Sequence, residues 1–122
     1  MSRTVLVIED EPNIAEALTF ILQRDGWRVL THANGADAME AVTRVAPDAV
    51  ILDVMLPNRN GYDILRDLRT REATRALPVL ILTAKGQARD RELAEDAGAS
   101  RFMTKPFAND EITCMLRGMV GA

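Results

Sequence analysis

Three runs of this chain are apolar with no polar residue inside them, Val5–Ile8, Ala49–Leu52 and Val79–Leu82, and a weaker one, Val29–Leu30, follows Trp27. Phe102-Met103 is a shorter fifth, placed mainly by its spacing from the others. Unbroken Val/Ile/Leu runs suit strands of a parallel sheet, which are covered on both faces. The stretches between them have helical spacing instead. Ile14, Leu18, Ile21 and Leu22 form a stripe that opens at Pro12 and closes before Gly26. Ala38, Met39, Val42 and Val45 form a second, ending before Pro47, and Ile64, Leu65 and Leu68 a third after Gly61. Leu93, Ala94 and Ala97 make a fourth, stopped by Gly98. Ile112, Met115, Leu116 and Met119 make the fifth, with Asn109 or Asp110 as the expected N-cap.

Five alternations of strand and helix imply an α/β fold with right-handed crossovers. A closed eightfold barrel needs about twice this length. The expectation is therefore one domain over residues 1–122, a doubly wound (βα)5 flavodoxin-like fold with a five-stranded parallel sheet of order 2-1-3-4-5. With 48% hydrophobic and 27% charged residues the chain can bury a core. Its 15 Lys+Arg against 18 Asp+Glu leave a net charge of -3, whereas a surface that tracks phosphates needs a basic excess. Direct nucleic-acid binding is thus not expected. The single Cys114 can close no internal disulfide and fits a reducing cytoplasm. No apolar run approaches the ~20 residues of a membrane span, and the opening Met1-Ser2-Arg3-Thr4 lacks the apolar stretch of a signal peptide. A soluble cytoplasmic domain is expected, away from membranes.

Open parallel sheets bind ligands at the carboxyl ends of their strands, where strand order reverses. Glu9, Asp10 and Glu11 follow the first run, Asp53 the third, Thr83 the fourth, and Thr104, Lys105 and Pro106 the fifth. The order 2-1-3-4-5 would bring Glu9 and Asp10 beside Asp53, with Thr83 and Lys105 on the opposite side. Gathered carboxylates repel one another unless a cation joins them. All-oxygen donors with few protein contacts suit Mg²⁺, which keeps several waters and binds phosphate. An Asp carboxylate can attack phosphorus to give an acyl phosphate, and Mg²⁺ and a Lys ammonium are the usual partners of the transferred charge. These residue types suffice for phosphoryl transfer onto a protein carboxylate.

The runs VLVIEDEPNI (5–14), VILDVMLPNRNGYDIL (50–65), LILTAKG (80–86) and GASRFMTKPF (98–107) resemble the receiver domain of bacterial two-component response regulators, over the whole chain and in order and spacing. The resemblance implies that Asp53 is the phosphoacceptor, that Glu9 and Asp10 bind Mg²⁺ with it, and that Met55 adds its backbone carbonyl. It implies a switch hydroxyl at Thr83, a switch aromatic at Phe102, a phosphate-pairing ammonium at Lys105 and a cis Lys105-Pro106 peptide. Proline brings that isomer within about 0.5–1 kcal/mol of trans. The implied partners are a sensor histidine kinase or phosphotransfer protein and a downstream protein target. A homodimer through the fourth helix, fifth strand and fifth helix is a further implied assembly. Such a domain is no enzyme beyond catalysing its own phosphorylation and dephosphorylation. Departures are Glu9 where many members have Asp, Phe102 where Tyr is frequent, and Ser100-Arg101 where two acidic residues usually follow Gly-Ala. The last weakens any transfer of dimer contacts, leaving Arg91 and Glu111 as candidate cross-subunit partners. Met55 and Lys85, two residues beyond Asp53 and Thr83, hold positions that tune the phosphoryl lifetime in the family.

Taken alone, Asp53 reads as a strand-ending turn residue; taken with Asp10, Thr83 and Lys105 at matching strand ends, it reads as functional. Glu11 reads as a helix-entry charge, His32 as solvent-facing, and Cys114 as a small, partly buried hydrophobe. Met39, Met55, Met103, Met115 and Met119 read as core or near-core, and DILRDLRTREATR (63–75) as a solvated helix and loop. Two other readings stay open: a haloacid-dehalogenase-like phosphatase and a receiver-like scaffold that works without phosphorylation. The phosphatase needs a second Asp where this chain has Met55. A flavin-binding domain is opposed by the acidic Glu9-Asp10-Glu11, which would repel the flavin phosphate. The chain is expected to be a free-standing regulator.

Overall fold

The structure is a computed structural model that describes residues 3–84 and 88–121. Strands β1 (Thr4–Ile8), β2 (Arg28–His32), β3 (Ala49–Asp53), β4 (Val79–Thr83) and β5 (Arg101–Thr104) alternate with helices α1 (Pro12–Arg24), α2 (Ala38–Val45), α3 (Gly61–Thr70), α4 (Ala88–Ala97) and α5 (Asn109–Val120). The strands form one parallel sheet in the order β2-β1-β3-β4-β5. Each expected strand is present, and Asp53 and Thr83 prove to be the last residues of theirs.

Side chains alternate across a strand, so the unbroken apolar runs supply two cores. Leu6, Ile8, Val50, Leu52, Val79 and Ile81 face α2, α3 and α4, meeting Val42, Leu65, Leu68 and Ala94. Val5, Val7, Ile51, Leu80 and Leu82 face α1 and α5, meeting Leu18, Leu22, Trp27, Ile112 and Leu116. The three middle strands are buried along nearly their whole length. β2 lies at an edge and is only partly covered, which accounts for its weak apolar run.

Local signals place the helix ends. Pro12 opens α1, and the Asn60 side chain accepts the Asp63 N–H at 3.0 Å to cap α3. At α5 the expected cap is displaced by one residue. Ala108 is the N-cap, and Glu111 reaches back to its N–H at 3.3 Å, so Asn109 and Asp110 lie inside the first turn.

Several sequence expectations need correction. The stretch 63–75 is not wholly solvated. The Arg69 guanidinium donates to the carbonyls of Gly98, Thr74, Arg75 and Leu77 and to Ser100 Oγ, at 2.7–3.3 Å. It ties the end of α3 to the loops before β4 and β5. Ser100 Oγ also accepts the Val79 N–H at 3.1 Å, so the departure at Ser100 serves this junction. Cys114 is exposed, because its helix buries the neighbouring Ile112 and Leu116 instead. Met55 is 67% exposed, since it sits in the loop after β3 and outside any packed face. His32 is not solvent-facing: its side chain is 18% exposed and its Nε2 lies 2.6 Å from Asp37 Oδ1.

Candidate functional site at the carboxyl edge of the sheet

Parallel register carries the polar strand ends to one place. Ile8 pairs with Leu52, so Glu9 and Asp53 emerge side by side, and Thr83 pairs with Thr104 immediately before Lys105. Glu9, Asp53 and Thr83 are buried to 3–4% exposure, while Asp10 is exposed. Oxygen atoms of Glu9, Asp10 and Asp53 lie within 4.8 Å of one another.

Lys105 does not keep to the far side of this group. Its Nζ reaches 2.8 Å from Glu9 Oε1 and 3.4 Å from Asp53 Oδ1, joining the two carboxylates. Backbone bonds fix both ends of the contact. Lys105 N–H donates to the Thr83 carbonyl at 2.8 Å, and Glu9 N–H to the His32 carbonyl at 2.9 Å. The Lys105-Pro106 peptide is cis. Gly61 lets α3 start against the end of β3: a Cβ there would stand 2.3 Å from the Asp53 carbonyl oxygen.

The electrostatics follow from burial. Removal from water raises the Asp53 carboxyl, and its hydrogen bond with Glu9 and the Glu9 charge raise it further, while Lys105 opposes them. The net result is a shift up to about 7. Burial also pushes Glu9 up, but contacts with Lys105 and Asp53 and the Glu11 N–H outweigh it and hold Glu9 below its ordinary range. For Lys105, burial lowers the ammonium, yet Glu9 and Asp53 more than reverse this and raise it. Burial and the neighbouring Glu9 charge together favour the protonated form of the Asp53 carboxyl.

The donor set fits a small hard cation. Among the described residues three carboxylates face one ammonium, which leaves that group with a net negative charge when ionised. Glu9 Oε1 is buried and, although ion-paired with Lys105, meets no well-aligned hydrogen-bond donor among the described residues. Mg²⁺ prefers all-oxygen donors and neutralises such a cluster.

Phe102 is nearly buried on β5, and the Arg91 guanidinium lies over its ring at 5.0 Å. Arg91 is therefore engaged within the domain, and Glu111 caps α5. Tyr62 Oη donates to the Asp90 carbonyl at 3.3 Å, linking α3 to α4. Lys85 lies outside the described residues. Sequence reading missed the bridging reach of Lys105 and the close contact at Gly61. It also missed the contacts of Asn34 and Gly35 with the loop after β3. The Asn34-Gly35 dipeptide after a strand and Pro57-Asn58 were the available turn signals.

The family described as response regulator receiver domain matches residues 5–117. The chain is 43% identical over 116 residues to the transcriptional regulatory protein KdpE of Mycobacterium tuberculosis, covering 95% of this chain and 50% of that one. It is 38% identical over 117 residues to the DNA-binding response regulator MtrA of Mycolicibacterium smegmatis, covering 96% and 50%. The chain thus spans about half the length of these curated relatives. In three dimensions it matches the receiver domain of the sensor histidine kinase PA1611 of Pseudomonas aeruginosa, with a TM-score of 0.91, 31% identity and both chains fully covered. That structure has a magnesium ion coordinated in its active-site cleft. With its sheet order, its acidic cluster and these likenesses, the chain belongs to the response regulator receiver domain family.

Proposed function

We propose that the domain accepts a phosphoryl group on Asp53, in a Mg²⁺-dependent reaction, from the phosphohistidine of a sensor histidine kinase or phosphotransfer protein in the cytoplasm. The observation that carries this reading is the buried Asp53 carboxylate, 3.4 Å from the Lys105 ammonium and flanked by Glu9 and Asp10. An Asp53 oxygen attacks phosphorus as the P–N bond to the donor imidazole breaks, and that imidazole leaves after taking up a proton. Mg²⁺ held by Glu9, Asp10, Asp53 and the Met55 carbonyl would neutralise the phosphoryl oxygens. Lys105 exchanges Glu9 for a phosphoryl oxygen, and the Thr83 hydroxyl, buried at the end of the adjacent strand, donates to another. Catalysis is confined to the domain's own phosphorylation and dephosphorylation.

Docking of the donor is favoured by an apolar groove of about 400 Å³ beside Lys105, lined by Ile14, Ala17, Ile21, Pro106 and Phe107. Movement of Thr83 and Phe102 then alters the face made by α4, β5 and α5, the site for a downstream protein target or a second copy. Such a switch needs a partner that binds the two states unequally. A phosphatase of the haloacid-dehalogenase type is disfavoured because the Met55 thioether has no proton to give the leaving group.

Intact-mass spectrometry after incubation with acetyl phosphate tests the reading. Wild type should gain one phosphoryl group only with Mg²⁺, and Asp53→Asn none. Uptake by Asp53→Asn at the wild-type rate would overturn the assignment.

A further inference from the structure

We propose that the loop between β2 and α2, residues 33–37, is a brace that positions the loop after Asp53 and thereby sets the affinity of the acidic site for Mg²⁺. The inference rests on the phosphoacceptor reading above, and it assigns Asn34, Gly35 and Asn58 as positioning residues that touch no reacting group.

This edge loop contacts the segment after Asp53 and leaves β2 directly beside the segment after β1. At the end of β2, the His32 carbonyl accepts the Glu9 N–H at 2.9 Å. Further along, the Gly35 N–H donates to the Pro57 carbonyl at 3.0 Å. Asn34 Oδ1 accepts twice, from the Ala36 N–H at 2.8 Å and from Asn58 Nδ2 at 3.1 Å. Asn58 holds a left-handed backbone, φ +69°, a conformation Asn tolerates better than most residues. The two loops approach so closely that a Cβ on Gly35 would stand 2.3 Å from the Arg59 carbonyl oxygen and 3.0 Å from the Pro57 carbonyl oxygen. No side chain fits there without displacing the loop.

The other side of the same segment is also pinned. Gly61 N–H donates to the Val54 carbonyl at 2.9 Å, and the Arg59 guanidinium holds Asp67 at 2.6 Å and the Asp63 carbonyl at 3.2 Å. Residues 54–60, which carry Met55, are thus held from both sides. A cation that demands near-ideal octahedral geometry binds best where its oxygen donors are already placed. Partners that orient metal donors commonly control affinity without touching the metal. Slack in this brace should loosen the cation site before it affects the chemistry.

The test uses Asn34→Ala and Asn58→Gly, which cut the same bond from opposite ends, and Gly35→Ala, which wedges the loops apart. Val42→Ala, a core truncation away from the loops, serves as the stability control. Calorimetric Mg²⁺ titration of the unphosphorylated domains is the first readout. The second is the Mg²⁺ dependence of phosphoryl uptake from acetyl phosphate. Each asparagine variant should raise the Mg²⁺ Kd about 10-fold, and the double variant should do no more. Uptake at saturating Mg²⁺ should stay within about twofold of wild type, as expected when affinity rather than chemistry is lost. Unchanged Mg²⁺ affinity in both folded asparagine variants would overturn the proposal, as would an equal loss in Val42→Ala. If Gly35→Ala fails to fold, the asparagine pair decides. Wild type that binds Mg²⁺ but gains no phosphoryl group would refute the phosphoacceptor reading instead, and the calorimetric comparison would still judge the brace.

Discussion

Replacing Asp53 by Asn should stabilise the metal-free fold, and the advantage should grow with pH. The folded Asp53 carboxyl titrates at about 7 against an ordinary 3.8, because burial and Glu9 disfavour its charge. Each unit corresponds to about 1.4 kcal/mol, so complete ionisation of Asp53 costs the fold at most ~4 kcal/mol. Between the two values the folded state binds more protons than the unfolded state, so stability falls as pH rises through this window. Above about 7 the penalty is complete. From pH 5 to pH 8 the linkage relation assigns roughly 2–3 kcal/mol of it. An amide in place of the carboxylate removes that cost but also one of the contacts that keep Glu9 ionised. The expected net widening of the stability gap is therefore about 1–2 kcal/mol. Urea unfolding in EDTA, followed by emission of the buried Trp27, measures it directly. A gap that stays constant from pH 5 to pH 8, or a variant less stable than wild type near pH 8, would refute the account of Asp53 as a carboxyl pressed against like charge.

Three other outcomes are expected. Lys105→Met should slow phosphoryl uptake at saturating Mg²⁺ by about 100-fold, the usual loss when a donor to a developing anion is removed; an unchanged rate from acetyl phosphate would deny Lys105 its role. Arg69→Met should lower stability by about 2–4 kcal/mol, since four carbonyls and Ser100 Oγ lose their donor, and a urea midpoint equal to wild type would show that water replaces it freely. Ala46 closes α2 with φ +50°, so Ala46→Gly should raise stability by up to about 1 kcal/mol once the added unfolded-state freedom is subtracted; a lower melting temperature would contradict this.

The sheet and most of the site were legible because one physical rule governs both. A strand covered on two faces must be apolar throughout, so its end is marked by the first polar residue, and in a parallel sheet those ends converge. Asp53, Thr83 and Glu9 were readable for that reason. Residues whose surroundings come from distant segments were not. Nothing around Arg69 announces that carbonyls from the loops before β4 and β5 will surround it. The apolar stripe of α5 runs close to Cys114 yet leaves it outside. Met55 reads as core by composition, but the turn that brings Gly61 against Asp53 exposes it. His32 ends an edge strand and finds Asp37 across the following loop, a pairing that helical or strand periodicity does not encode.

The same burial that makes the site costly to the fold gives it a reason to react. Two well-packed cores hold β1 and β3 in register, so Glu9 and Asp53 cannot separate when both are charged. Without a metal, the described residues offer two remedies, protonation, which burial and Glu9 favour at Asp53, and the Lys105 bridge, and the reach of Glu, one methylene longer than Asp, lets Glu9 compete for that lysine. A divalent cation held by Glu9, Asp10 and Asp53 would relieve the repulsion without the proton and so leave Asp53 ionised, the form required of the proposed phosphoacceptor. An entering phosphoryl group would then offer Lys105 a more highly charged partner than Glu9. On the proposed mechanism, ion binding, ionisation of Asp53 and release of the lysine would be one coupled event, driven by a repulsion that the sheet itself imposes.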